Sequence, residues 1–155
     1  MSVSSFLSIL RAAGRQQLTA STAVVARKPV TGSHLFRIDR YKQVRKMFPK
    51  GTALTSSAFG VGGQDWRVEF YPNGDFEEQE PAGFISLYLR NASHGRTGDA
   101  TAKCAFSILD SAGRPWFTQV SPRERRFAGY HWGFREFVRI QDLNHEKNKF
   151  LWAAA

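Results

Sequence analysis

The chain holds a single cysteine, Cys104, among 155 residues. One thiol closes no intramolecular disulfide and completes no multi-cysteine zinc site, so a reducing cytosol or nucleus suits the chain best. Acidic residues are scarce in one place. None precedes Asp39, whereas Arg11, Arg15, Arg27, Lys28 and Arg37 do, and Arg40, Lys42, Arg45, Lys46 and Lys50 follow. The formal net charge of +9 therefore gathers in the N-terminal third and forms no continuous phosphate track. Long apolar runs are missing as well. Phe6-Leu7-Ser8-Ile9-Leu10 is too short for a secretory core or a membrane span, and Arg11 interrupts it. Catalytic groupings are lacking too. His34, His94, His131 and His145 have no zinc-like spacing, Cys104 sits in an apolar strand where burial would raise its pKa, and no nucleophile motif joins Ser, His and Asp. The expectation is a protein that is not an enzyme and needs no metal or cofactor.

What remains is a core of β character. The length supports one domain, and 42% hydrophobic with 14% aromatic residues argues for a packed interior. Residues 1–18 read as a flexible leader. Phe6, Leu7, Leu10 and Ala13 fall at helical spacing among Ser and Arg, the composition of a weak mitochondrial presequence and an alternative to a cytoplasmic or nuclear location. From Thr19 the period turns to β. Thr19–Ala26 and His34–Asp39 read as strands, and Gly60-Val61-Gly62-Gly63 reads as a hairpin turn before Gln64–Tyr71, whose Trp66, Val68 and Phe70 point inward. Pro72-Asn73-Gly74-Asp75 marks another turn and opens an acidic loop. Ile85, Leu87 and Leu89 then share one strand face with Tyr88 opposite, and two further strands, Cys104–Leu109 and Trp116–Val120, join at Asp110–Pro115. Frequent short strands without long interleaved helices predict an all-β, antiparallel β-sandwich.

Near the end, Tyr130-His131-Trp132-Gly133-Phe134-Arg135-Glu136-Phe137 crowds aromatics around one glycine and reads as a docking surface. Six segments then carry a resemblance. Gly32–Ile38, Leu54–Phe59, Trp66-Arg67-Val68 with Tyr71–Gly74, Ile85–Leu89, Phe106–Leu109 and Trp132-Gly133-Phe134 occur in the order seen in MATH (meprin and TRAF homology) domains. The resemblance covers residues 19–151 and is greatest to the MATH half of plant MATH-BTB proteins. It implies a TRAF-like sandwich that binds short extended substrate segments containing Ser or Thr, in adaptors of cullin-based ubiquitin ligases. It also implies a shallow groove lined by Tyr88, Trp132 and Phe134, where strand pairing gives a Kd of about 1–100 μM.

Departures from that pattern limit what carries over. Cys104 stands where a better-studied relative has a groove phenylalanine, Glu69 where it has an arginine, and His131 where it has an aspartate. A histidine at that place would make affinity sensitive to pH. The resemblance further implies a last strand inside one sheet and then a BTB domain. The chain is expected to be incomplete at the C-terminus, with residues 152–155 as a tail, no direct cullin contact, marginal stability, and a role as competitor of MATH-BTB relatives or as a fragment. A basic nucleic-acid-binding domain is the alternative, resting on Pro122-Arg123-Glu124-Arg125-Arg126, which also reads as a solvated loop. Asn91-Ala92-Ser93 is a glycosylation sequon only in a secreted chain.

Overall fold

Apolar residues at every second position set the two inner strands of the larger sheet. β4 (Gln64–Tyr71) buries Trp66, Val68 and Phe70, and β5 (Phe84–Asn91) buries Ile85, Leu87 and Leu89; they run antiparallel with Val68 opposite Leu89 and Phe70 opposite Leu87. In this computed structural model the described residues are 29–75, 83–144 and 150–154, with side chains described for 29–75 and 83–143. The expected leader, the strand expected over Thr19–Ala26, most of the expected acidic loop and His145 lie outside the described residues.

Eleven strands are present among the described residues. The others are β1 (Ser33–Phe36), β2 (Leu54–Thr55), β3 (Phe59–Val61), β6 (Ala100–Ala102), β7 (Ala105–Leu109), β8 (Pro115–Val120), β9 (Arg125–Phe127), β10 (His131–Arg139) and β11 (Phe150–Ala154). One sheet has the order β1-β11-β7-β8; the second has the order β10-β5-β4-β2, with β3 also paired to β4; β6 and β9 form a small ribbon. Every pairing is antiparallel, as the sequence predicts. Gly62 and Gly63 close the β3–β4 hairpin with φ of +63° and +75°, a two-residue turn with both central residues left-handed that suits the twist of the strands.

The core lies between the two main sheets. Phe106 meets Phe134 and Phe137 edge-on at 6.1 and 6.2 Å, Phe117 meets Phe137 at 5.2 Å, and Trp66 meets Phe127 at 5.0 Å. Each buried ring of this kind contributes about 1.5–3 kcal/mol by leaving water, and edge-to-face pairing adds to it.

Several expectations need correction. Residues 152–154, expected as a tail, belong to β11, which pairs β1 through Trp152–Leu35 and β7 through Trp152–Ser107. The interior place expected to stand empty is filled, and the backbone groups on both sides of it are paired. A short helix, α1 (Tyr41–Met47), was not expected from the sequence. The Asn73 amide of the predicted turn holds it by donating to the carbonyls of Arg45 and Phe48 at 2.8 and 2.7 Å, and Tyr41 packs beneath it on Phe70, its phenol pushed up to about 12 by burial. The segment Pro122–Arg126 is only partly loop: Arg125 and Arg126 open β9, and Phe127 behind them is wholly buried. Asn91 and Ser93 are buried, with the Asn91 amide donating to Gln64 at 3.0 Å, so the sequon is a structural knot rather than a site for sugar. Two further short helices are α2 (His94–Thr97) and α3 (Ile140–Asn144), the latter following β10 directly. No described helix is long and apolar enough to cross a membrane.

Candidate functional site

Alternation along β10 splits the aromatic cluster between two faces. Trp132 and Phe134 stand opposite Leu89 and Leu87, pack against the core and remain half-buried; their rings meet edge-on at 5.2 Å. His131 and Arg135 stand on the other face with Tyr88, which lies opposite Gly133. The expected groove of Tyr88, Trp132 and Phe134 is therefore not a single floor. The two sets of side chains flank the same strand edge from opposite sides.

Tyr88 is also more covered than a strand-face tyrosine need be. Its ring carries the His131 imidazole stacked at 4.2 Å and meets Tyr71 edge-on at 5.7 Å, leaving it 8% exposed. Its hydroxyl donates to the Asp75 carboxylate, and burial together with that carboxylate pushes the phenol pKa well above its ordinary value. The Arg135 guanidinium lies 3.6 Å from Asp75, and the Ser86 hydroxyl donates to the Arg135 carbonyl at 2.5 Å. Glu69 works in the same way one row along. It pairs with Arg90 on one oxygen and meets His131 Nδ1 at 2.5 Å on the other, and only 9% of its side chain is exposed. Buried carboxylates held by arginines at the rim fix the rotamers of this face, since unpairing either acid would strand a charge away from water.

Cys104 departs from its expected place at the groove. It is 2% exposed within the core, its N–H donates to the Ser121 hydroxyl at 3.0 Å, and it borders the other sheet. Burial pushes its thiol up to about 11, from an ordinary 9.0. The thiolate fraction near pH 8 should then be about a hundredfold lower than in the unfolded chain, and Ellman's reagent should react with Cys104 slowly until denaturant is added. A fast native reaction would show that the site opens. Because the neutral thiol is favoured in the fold, this group supports stability below pH 9 and loses that support as pH climbs towards 11.

Tyr71, Asp75, Arg90 and Arg135 belong to the site although the sequence did not single them out. A period-two count from Tyr88 would have found Ser86 and Arg90; the cross-strand partners need the register. Elsewhere, the basic segment of the nucleic-acid reading is dispersed: Arg126 pairs with Asp99, and Arg125 lies over the Trp132 ring at 4.7 Å. Among the described residues no three His, Cys, Asp or Glu side chains group as metal ligands.

The free edge of the site is on β10. Among the described residues β10 pairs with β5 alone. Gln119 of β8 donates to the Phe137 carbonyl at 2.9 Å and blunts the far half of that edge, leaving the His131–Phe134 half with no second pairing strand among the described residues.

Residues 33–153 match the family described as MATH domain. The chain is 31% identical over 123 residues to BTB/POZ and MATH domain-containing protein 3 of Arabidopsis thaliana, covering 74% of this chain and 29% of that protein. Protein 4 of the same series is 29% identical over 128 residues, covering 77% of this chain and 27% of its own. The chain thus spans less than a third of the length of these relatives. A solved structure of TRAF5 from Notothenia coriiceps superposes with a TM-score of 0.57 at 18% identity, covering 79% of this chain and 72% of that one, and supports the fold.

Proposed function

Because the chain belongs to the MATH domain family, we propose that it binds a short extended segment of a partner protein as an added strand along the open half of β10. The observation that carries this reading is the His131–Phe134 edge, unpaired on its outer side among the described residues and flanked by Trp132 and Phe134 on one face and by the His131–Tyr88 stack on the other. Backbone groups of β10 supply hydrogen bonds, and side chains of the added strand alternate between the two flanks. Residues containing Ser or Thr suit the polar flank. The names of its relatives couple MATH with BTB/POZ, and the role we propose, from the resemblance in the sequence, is to select substrates for ubiquitination by a cullin-based ligase in the cytoplasm or nucleus. Where no BTB domain accompanies it, it competes with such relatives for the same segments. MATH domains are interaction modules and generally not enzymes.

The test is the amide NMR spectrum of the full chain titrated with a Ser/Thr-rich peptide library. Shifts should concentrate on 131–135 and on the Trp132 indole, and Trp132→Ala should weaken binding at least tenfold, as for a central aromatic anchor. Shifts confined to α1 or to β8 would reject this edge as the binding site.

A further inference from the structure

Register places three basic side chains in one row across three strands: Arg67 of β4 lies opposite Arg90 of β5, which lies opposite His131 of β10. Arg67 is exposed and has no ion pair among the described residues. The acids of this face lie deeper than the bases. Glu69 and Asp75 expose 9% and 10% of their side chains, whereas their partners Arg90 and Arg135 expose 43% and 47%. A ligand approaching the polar flank of β10 therefore meets guanidinium groups first, and a positive surface with its counter-charges buried favours anions. Glu136, exposed beside Arg135, offsets part of the charge at that end, so the His131 row carries the stronger preference.

Spacing converts this into a motif. His131 and Arg135 are four residues apart, at most about 13 Å at about 3.3 Å per residue, since the register with β5 is regular to Phe134 and shifts between Phe134 and Val138. A strand added beside β10 has its first, third and fifth residues on the polar flank and its second and fourth on the flank of Trp132 and Phe134. The third falls beside Gly133, which presents no side chain, so a small or hydroxyl-bearing residue fits there. Resting on the edge-binding reading above, we propose that the preferred partner segment is acidic, with Asp or Glu at the first and fifth of five residues, apolar residues at the second and fourth, and a small residue between.

Three fluorescein-labelled peptides test this with the full chain: Ser-Glu-Val-Ser-Val-Glu-Ser, the same with both glutamates replaced by glutamine, and the same with both replaced by lysine. At low ionic strength the glutamate peptide should bind about three- to tenfold more tightly than the glutamine peptide, an advantage lost at about 0.5 M salt, where the Debye length is about 4 Å. Arg67→Glu should shrink the same advantage, because it reverses one charge of the row, and an unchanged ratio between the glutamate and glutamine peptides in that variant would overturn the part given to the row. Equal affinity for the glutamate and glutamine peptides, or tighter binding of the lysine peptide, would overturn the charge preference. If Trp132→Ala still weakened the glutamine peptide, the edge reading would stand without it. Failure of all three peptides to bind would overturn the motif, and failure of the wider library at 131–135 would take the edge reading with it.

Discussion

Gly133→Ala is expected to lower the stability of the chain by about 3 kcal/mol or more, far beyond the ordinary glycine-to-alanine effect. A Cβ at this position would lie 1.9 Å from the Leu87 carbonyl oxygen, 2.6 Å from the Tyr88 Cα and 2.8 Å from the Leu87 carbonyl carbon. All three atoms are backbone, so no side-chain rotation relieves the contact. Strands β5 and β10 would have to separate where Trp132, Gly133 and Phe134 pair with Leu89, Tyr88 and Leu87. For a domain of this size that loss corresponds to a fall in Tm of about 6–12 °C. Gly60→Ala is the control, because no heavy atom lies within 4 Å of its Cβ and β3 borders β4 only; it should stay within about 1 kcal/mol of the parent. Thermal unfolding of the two variants checks this, and a Gly133→Ala protein melting with the parent would mean that the close approach of β5 and β10 is not what holds the site. The tryptophan and phenylalanine of this motif pack against the core, so the glycine between them is a structural requirement for the edge as well as part of it.

How far could these residues be read without coordinates? Strand identity came through wherever one face is buried: Trp66, Val68 and Phe70, then Ile85, Leu87 and Leu89, alternate in sequence because they alternate in space. The hairpin at Gly62-Gly63 was legible for a local reason, the need for two left-handed residues. Three features were not legible. Helix α1 has no side-chain N-cap, starts from Arg40 at φ 54° and owes its C-terminal anchor to Asn73, a residue 25 positions beyond Phe48, so no short window contains its cause. Strand β11 ends in alanines that read as a tail, and its place between β1 and β7 is a matter of topology rather than of propensity. The paired acids Glu69 and Asp75 stand 21 and 60 positions before their arginines, and only the register brings Arg90 and Arg135 to them. For the site itself, the sequence picked out Tyr88, His131, Trp132 and Phe134 but not that alternation divides them between two faces. Cys104 was drawn toward the groove by its position in the resemblance, whereas its apolar neighbours Ala105 and Phe106 already pointed to burial.

Phe137→Ala should be the most damaging core truncation, about 3–5 kcal/mol, because it leaves a cavity shared by both sheets. The ring is 1% exposed and touches Phe106 and Phe117 of one sheet and Phe134 of its own strand, at centroid distances of 6.2, 5.2 and 6.1 Å. Removing it deprives three aromatic neighbours of contact at once, and relaxation of one sheet toward the other is resisted by the strand pairing on each side. Phe137→Leu should recover more than half of the loss, since the leucine fills most of the volume; denaturant unfolding of the pair checks the ratio. The effect should extend to binding. Phe134 is braced from behind by Phe137, and Trp132 is braced by Phe134 at 5.2 Å, so the apolar flank of the β10 edge rests on a ring that no ligand touches. At a temperature where the variant is still folded, Phe137→Ala should weaken the glutamate peptide severalfold while leaving its salt dependence unchanged, because the arginines of the polar flank rest on Glu69 and Asp75 instead. A variant that lost the salt dependence along with the affinity would show that the two flanks are mechanically one, and the division of the edge into an apolar and a cationic side would then have to be abandoned.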